Sequence, residues 1–441
     1  MLPCGAMPQH EIRTIQVVGG GLAGTAIAAG LARSGASVRL LYTATPRASE
    51  PIRWLPAPRV RARTLPPSVL VEESLPVDIL LAGEHRVETT ARIGLVDHTR
   101  LRAAWRSRAR AAGVRFVECA PASGPVRAMG RTCGVRLTDG TTHRASLTID
   151  ATGTGVLLGA LPGPWLPGGR VPSADREPVL FARLSPPPDR VQASWVGRAQ
   201  LVLGLQGGLA WRCTPRAGGP VLVAVTAGPG AVRSRTEELL APLVGSAAAS
   251  AAATELRWLP CRRPLDGLAA DGLLACGAAA GLLDTLLGCQ IDALEKATDA
   301  LIRSVPALTG ERPPSTASLF DASRTVQRCV GGILAGRQLE RRWLQTLSPA
   351  GRESMVLSGV LGPDAWAAAI DGRPLVPRNV RIRARRGQLP PSHHPALRKL
   401  RSDLDALRAL HAHHPDAYDM FAIDDWQVRM ESVFAPGGRG G

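Results

Sequence analysis

The chain is short of lysine and of aromatic side chains. Of its 53 basic residues only Lys296 and Lys399 are lysines, and Phe, Trp and Tyr make up 4% of 441 residues. Without aromatic platforms there is little on which a single-strand binder lays its bases. The formal net charge of +17 and the pI near 11.0 therefore do not point to nucleic acid. The arginines are spread along the chain among abundant Ala, Gly, Pro and Leu, as a GC-rich coding bias produces. The eight cysteines show no C-x-x-C spacing, so reduced thiols and a cytoplasmic location are expected. The opening MLPCGAMPQHEIR lacks the basic-then-apolar order of a signal peptide. No stretch of about 20 residues is apolar enough to span a bilayer; the run from Gly272 to Leu287 is glycine-rich and broken by Asp284. There is no G-x-S-x-G and no cysteine close to a histidine, so no covalent nucleophile is visible. His411 and His414, three apart with Asp416 nearby, are not joined by a Cys or Glu at fixed spacing. They read as a solvated helix end, and no metal site is expected.

What is present is concentrated between Thr14 and Tyr42. TIQVV reads as a strand, GGGLAG as a loop, TAIAAGLARSG as a helix and SVRLLY as a second strand, the opening of a dinucleotide-binding βαβ unit. Gly19, Gly21 and Gly24 keep G-x-G-x-x-G spacing. The first permits a tight turn, the second lets backbone approach a pyrophosphate, and the third lets helix pack on strand. Gly20, Leu22 and Ala23 complete the loop, and the helix N-terminus offers free N–H groups to the phosphates. The unit ends unusually. Where such folds place an Asp or Glu for the ribose hydroxyls, this chain has Tyr42.

Further on, Pro46 to Pro67 is Pro- and Arg-rich and reads as loop. Leu95 to Gly113 has helical period, and Thr132 to Thr148 reads as a hairpin turning at Asp139-Gly140. A strand ends in Asp150-Ala151-Thr152-Gly153. From Pro178 to Thr226 short alternating runs predict an antiparallel sheet. Leu273 to Cys276 is again a buried strand, followed by Gly277-Ala278-Ala279-Ala280-Gly281 and a helix to Ala300, and beyond Pro306 the chain is mostly helical and basic.

These three landmarks in order resemble the FAD-dependent oxidoreductase superfamily of aromatic hydroxylases, flavin halogenases, geranylgeranyl reductases and lycopene cyclases, over roughly Thr14 to Trp343. The resemblance implies an α/β fold: a discontinuous Rossmann-type FAD-binding domain (1–175 and 255–305), an inserted antiparallel β-sheet substrate domain (176–254) and a helical C-terminal extension (306–441). It implies FAD, touching Gly153, Gly277, Ala278, Gly288 and His98 besides the glycine loop and Tyr42. It implies reduction by NAD(P)H or by a separate flavin reductase, and a small aromatic, lipid-like or peptide substrate. Departures are systematic. Ala278 replaces the acid of the family's G-D-A-A-G, Thr285 a proline and Gln290 a glycine, and His98 stands where an arginine often follows the V-D dipeptide. FAD is therefore expected to bind weakly. Trp211, Asp284 and Gln290 are the candidates for chemistry. The W-x-W-x-I-P motif of halogenases is absent, and Lys296 lies inside a predicted helix, which argues against halogenation. Hydroxylation of an aromatic or electron-rich substrate in biosynthesis or protein maturation is the expected activity; an isoprenoid reductase or cyclase, or a non-catalytic partner keeping the fold, are the alternatives.

Overall fold

The computed structural model describes residues 14–44, 53–56, 65–161, 177–184, 195–205, 208–216, 221–227, 241, 243, 257–261, 263–287, 291–305, 313–376 and 391–435. β1 (Thr14–Val18), α1 (Leu22–Arg33) and β2 (Ser37–Tyr42) form the expected opening, with β1 and β2 parallel and Val17 opposite Leu40. β3 (Arg53–Pro56) lies inside the stretch expected to be loop and pairs with the second strand of a long hairpin, β4 (Leu70–Leu80) and β5 (Arg86–Val96). α2 (His98–Ala111) then leads to β6 (Arg115–Glu118), which returns beside β2. Its start is set by Asp97, whose carboxylate accepts from Arg100 N at 2.9 Å, a side-chain N-cap.

β7 (Ala122–Ala128), β8 (Arg131–Leu137) and β9 (Thr142–Arg144) make a separate meander, whose second turn uses Asp139-Gly140 with Gly140 at φ +85°. β10 (Leu147–Asp150) and the short α3 (Val156–Gly159) follow. β11 (Glu177–Leu184), β12 (Arg198–Val202), β13 (Gly208–Thr214) and β14 (Val221–Ala227) are the expected strands of the second sheet. β15 (Arg257–Cys261), β16 (Ala269–Ala270) and β17 (Leu273–Ala275) come next. The chain finishes with α4 (Ile291–Ser304), α5 (Thr316–Val326), α6 (Gly332–Thr346), α7 (Pro349–Leu357), α8 (Pro363–Ile370), α9 (His394–Ala412) and α10 (Met420–Phe434).

The first sheet runs β16-β17-β10-β1-β2-β6, parallel except at β16. By register Val17, Leu40, Leu147 and Ile149 share one face of its central strands and are fully buried. The other face carries buried Gln16, Arg39 and Thr148, with Arg39 donating to Gln16 Oε1 at 2.8 Å and to Arg144 O of β9 at 2.6 Å. The second sheet has eight strands, β15-β11-β14-β13-β12-β4-β5-β3. Segment 176–254 supplies four of them; the others come from 53–96 and 257–261. One face carries Leu209, Trp211 and Cys213 and shares a core with Trp343 and Leu344 of α6, Met355 of α7 and Trp366 of α8. The C-terminal helices are thus built into the core. No helix among the described residues is long and apolar enough to cross a membrane.

Candidate functional site

β1 is flanked by β2 on one side and β10 on the other, so the chain reverses its direction of progress across the sheet at the C-terminal end of β1. Open α/β sheets bind ligands at such a switch point, and the glycine loop lies there. Each glycine has its own reason. Gly19 takes φ +119°, and a Cβ there would be 2.3 Å from Ala151 O. A Cβ on Gly24 would be 1.9 Å from Gly19 O, so helix and loop meet only because both lack side chains. Around Gly21 nothing lies within 4 Å of the Cβ position. Gly21 is also the N-cap of α1, with no side chain capping the first turn, which leaves backbone N–H groups to face a ligand.

The other landmarks reach the same edge. Gly277, at φ +61°, packs so close to α1 that its Cβ would be 2.6 Å from Ala23 Cβ, and half-buried Ala278 follows it. Gly153, at φ +82°, has open space around it. Asp150, just before, is a local anchor: its carboxylate accepts from Thr152 N and Oγ1 (3.0 and 2.7 Å) and from Leu157 N and Leu158 N (3.0 and 3.2 Å). His98 opens α2 and is buried. Gly19 through Gly24, Tyr42, Gly153, Gly277 and Ala278 are therefore gathered at the end of the parallel sheet, the loop's neighbours across the fold arriving only through strand pairing.

The candidates for chemistry lie elsewhere on this edge or outside it. Asp284 turns its carboxylate back on the loop, accepting from Leu286 N at 3.1 Å and Leu287 N at 2.9 Å. Its Oδ2 is 3.7 Å from Arg337 Nε. Burial raises its pKa, against the opposing pull of Arg337 and the two N–H groups. Arg337 also pairs with Glu340 at 3.3 Å and donates to Ala369 O and Arg373 O at 2.5 and 2.7 Å, while Glu340 accepts from Val376 N at 3.1 Å. Burial raises the Glu340 pKa too, with Arg337 opposing it. Asp284 is thus committed to holding a loop in place. Trp211 belongs to the same core as Leu286 and Leu287 of that loop. Arg212, on the opposite face as alternation requires, lies 3.6 Å from the Trp195 ring centroid and donates to Gln200 Oε1 and Leu243 O. Gly288 and Gln290 lie outside the described residues. Lys296, on α4, pairs with Asp292 at 3.1 Å.

The histidine expectation is corrected. His411 and His414 are not a solvated end: they are 4% and 2% exposed, with His414 4.7 Å from the Trp426 ring and 5.6 Å from Phe320. Burial, first of all, lowers their pKa to about 3 and about 4. The aromatic partners come from α5 and α10, which spacing along α9 does not reveal. Among the described residues no group of three His, Cys, Asp or Glu is placed to hold a metal. Sequence reasoning also passed over Arg106, Arg337 and Arg352. The last is fully buried on α7 and donates to Gly208 O at 2.9 Å and to Leu205 O. A helical spacing of Arg102, Arg106 and Arg110 was the available signal for the first.

No family model matches the chain, and no curated protein matches its sequence. Solved structures do match its fold. A geranylgeranyl bacteriochlorophyll reductase-like protein from Thermoplasma acidophilum superposes with a TM-score of 0.61 at 16% identity, covering 88% of this chain and 99% of that one. A flavin-dependent halogenase from Xanthomonas campestris gives 0.57 at 13% identity, over 90% and 96% of the two chains. A peptidyl tryptophan dihydroxylase essential for tryptophylquinone cofactor biogenesis gives 0.55 at 19% identity, over 76% of each. The chain shares the α/β fold of these structures.

Proposed function

We propose that the chain is an FAD-dependent oxidoreductase, hydroxylating an aromatic or electron-rich substrate. The observation that carries this reading is the space over Gly21, at the switch point and beneath the uncapped first turn of α1. It is a cradle that a side chain would fill, and its donors are those a pyrophosphate needs. The loop from Gly19 to Gly24 would hold the pyrophosphate, and Gly153, Gly277 and Ala278 would border the cofactor along the sheet edge. Asp284 would keep the loop from Asp284 to Leu287 in shape beside it. FAD supplies redox and oxygen chemistry that the side chains lack; the protein contributes position and exclusion of water. Leu286, Leu287 and Trp211, all buried in one core, provide that apolar wall.

The missing carboxylates at Tyr42 and Ala278 make retention weak. A lost hydrogen bond to a charged group costs about 1.5–3 kcal/mol, which is roughly ten- to a hundredfold in affinity. The similarity to the geranylgeranyl-reductase-like structure, with nearly all of that chain covered, favours an isoprenoid reductase as the second reading. The test is the visible absorbance of purified protein before and after titration with FAD. Oxidised-flavin bands that survive desalting support the reading, and turnover of aromatic against isoprenoid substrates then separates its two forms. A chain that takes up no flavin at saturating FAD is a non-catalytic partner, and the enzymatic reading falls.

A further inference from the structure

At the adenosine end of the cradle the expected acid is replaced by a cation resting on a ring. Arg106 reaches from α2 to the glycine loop, donating from Nη2 to Gly20 O at 2.9 Å. Its Cζ lies 4.8 Å from the centroid of the Tyr42 ring, within the range of a cation–π contact. Loop, ring and guanidinium are in mutual contact: a Cβ on Gly20 would be 2.6 Å from Tyr42 Cβ and 2.7 Å from Arg106 Nη2. Arg106 Nε is buried and makes no hydrogen bond among the described residues. The nearby carboxylate, Glu118, accepts from the Tyr42 hydroxyl at 3.3 Å, and no carboxylate among the described residues pairs with Arg106. Arg102 and Arg110 stand one turn either side on the same helix face. Desolvation, then repulsion from Arg102, lowers the Arg106 pKa while the Tyr42 hydroxyl opposes it. The result is an unneutralised cation where a ribose would lie.

A carboxylate at this place accepts from two ribose hydroxyls and repels a phosphate; a guanidinium only donates and binds phosphate in a fork. From this we infer that Arg106 is the specificity-determining residue of the adenosine end, and that the cradle takes an adenine nucleotide with a phosphate on its ribose in preference to one with both hydroxyls free. The inference rests on the nucleotide reading of this edge. It agrees with the weak retention proposed for FAD, whose adenosine ribose is unphosphorylated and gains nothing from Arg106.

The test is titration of the full chain with adenosine 5′-diphosphate and with its 2′-phosphorylated and 3′-phosphorylated forms at low salt, followed by calorimetry. One phosphorylated form should bind about tenfold more tightly than ADP, as expected for one charge-assisted contact, and the tighter of the two identifies which ribose oxygen is read. Arg106→Gln should abolish the difference and Arg106→Lys should keep part of it. Tyr42→Glu combined with Arg106→Gln should reverse the preference. Equal binding of the three nucleotides while FAD still binds overturns this inference and leaves the flavin reading standing. A preference that survives in Arg106→Gln, or a gain in ADP affinity on that substitution, also overturns it, the gain meaning that Arg106 covers the site. Failure of FAD and all three nucleotides to bind overturns both.

Discussion

Single positions in the loop divide into those where the fold leaves no room for a side chain and those where it leaves open space. Gly24→Ala places a methyl against Gly19 O, so it should destabilise the protein by about 1–3 kcal/mol, the range for overpacking. Gly21→Val places its side chain in open space at φ −74°. It should leave the thermal midpoint nearly unchanged while FAD uptake falls by an order of magnitude or more; parallel loss of midpoint and uptake would show that Gly21 is structural. The buried histidines set an acid limit. Their folded pKa values are depressed from 6.5 to about 3 and about 4, so the unfolded chain takes up protons first as pH falls. Stability is therefore full above pH 6.5 and declines from there down to pH 3–4, by about 2 kcal/mol for each ring at pH 5. Denaturant unfolding at pH 7 and pH 5 checks this. His411→Leu should remove about half of the difference.

Among the elements, α6 is the one whose role is set by charge. Arg337 is 1% exposed and bridges Asp284 to Glu340 and to carbonyls in the last turn of α8 and just beyond it. Arg337→Met leaves two buried carboxylates without their cation and should cost about 3–5 kcal/mol. Both carboxyls already have pKa values raised by burial, and loss of the cation raises them further. A folded pKa above the unfolded one gives stability that is present at low pH and lost as pH rises. The deficit of the variant should therefore be smaller at pH 5 than at pH 8; a deficit independent of pH would deny that the carboxylates carry it. β13 shows the same coupling of element and neighbour. Alternation alone sends Trp211 and Arg212 to opposite faces, but the face that received Trp211 is covered by α6, α7 and α8.

At the scale of the whole molecule, one core joins the eight-stranded sheet, α2 and the helices from α6 to α10, while a second fills the parallel sheet. Arg352 ties α7 to the backbone on either side of the β12–β13 turn, and its own pKa is pulled down to about 10 by burial. Removing residues 313–435 would strip one face of that sheet, so the truncated chain should aggregate or unfold and not survive as a smaller folded unit. Intact protein should melt with coincident loss of tryptophan fluorescence and far-UV dichroism. A separate early transition in either signal would show the helices to be independent.

Local order was legible in the amino acids. The period-two and period-3.6 runs around Thr14 to Tyr42, the Asp139-Gly140 turn and the short strands after Pro178 follow from backbone and side-chain geometry acting within a few residues. The glycine spacing likewise announced the cradle, because only glycine tolerates φ +119° and contact with Ala151 O at Gly19. What sequence did not decide was which distant groups would meet. β3 emerged from a Pro- and Arg-rich stretch because β5 offered it a free edge. His411 and His414 were buried by Trp426 and Phe320, which their own helix does not carry. Arg106 came to rest on Tyr42, and Arg337 on Asp284, across 64 and 53 positions of chain respectively. Such pairings are set by the packing of whole elements against one another, and that packing puts an arginine on Tyr42, where the sequence had shown only a missing acid.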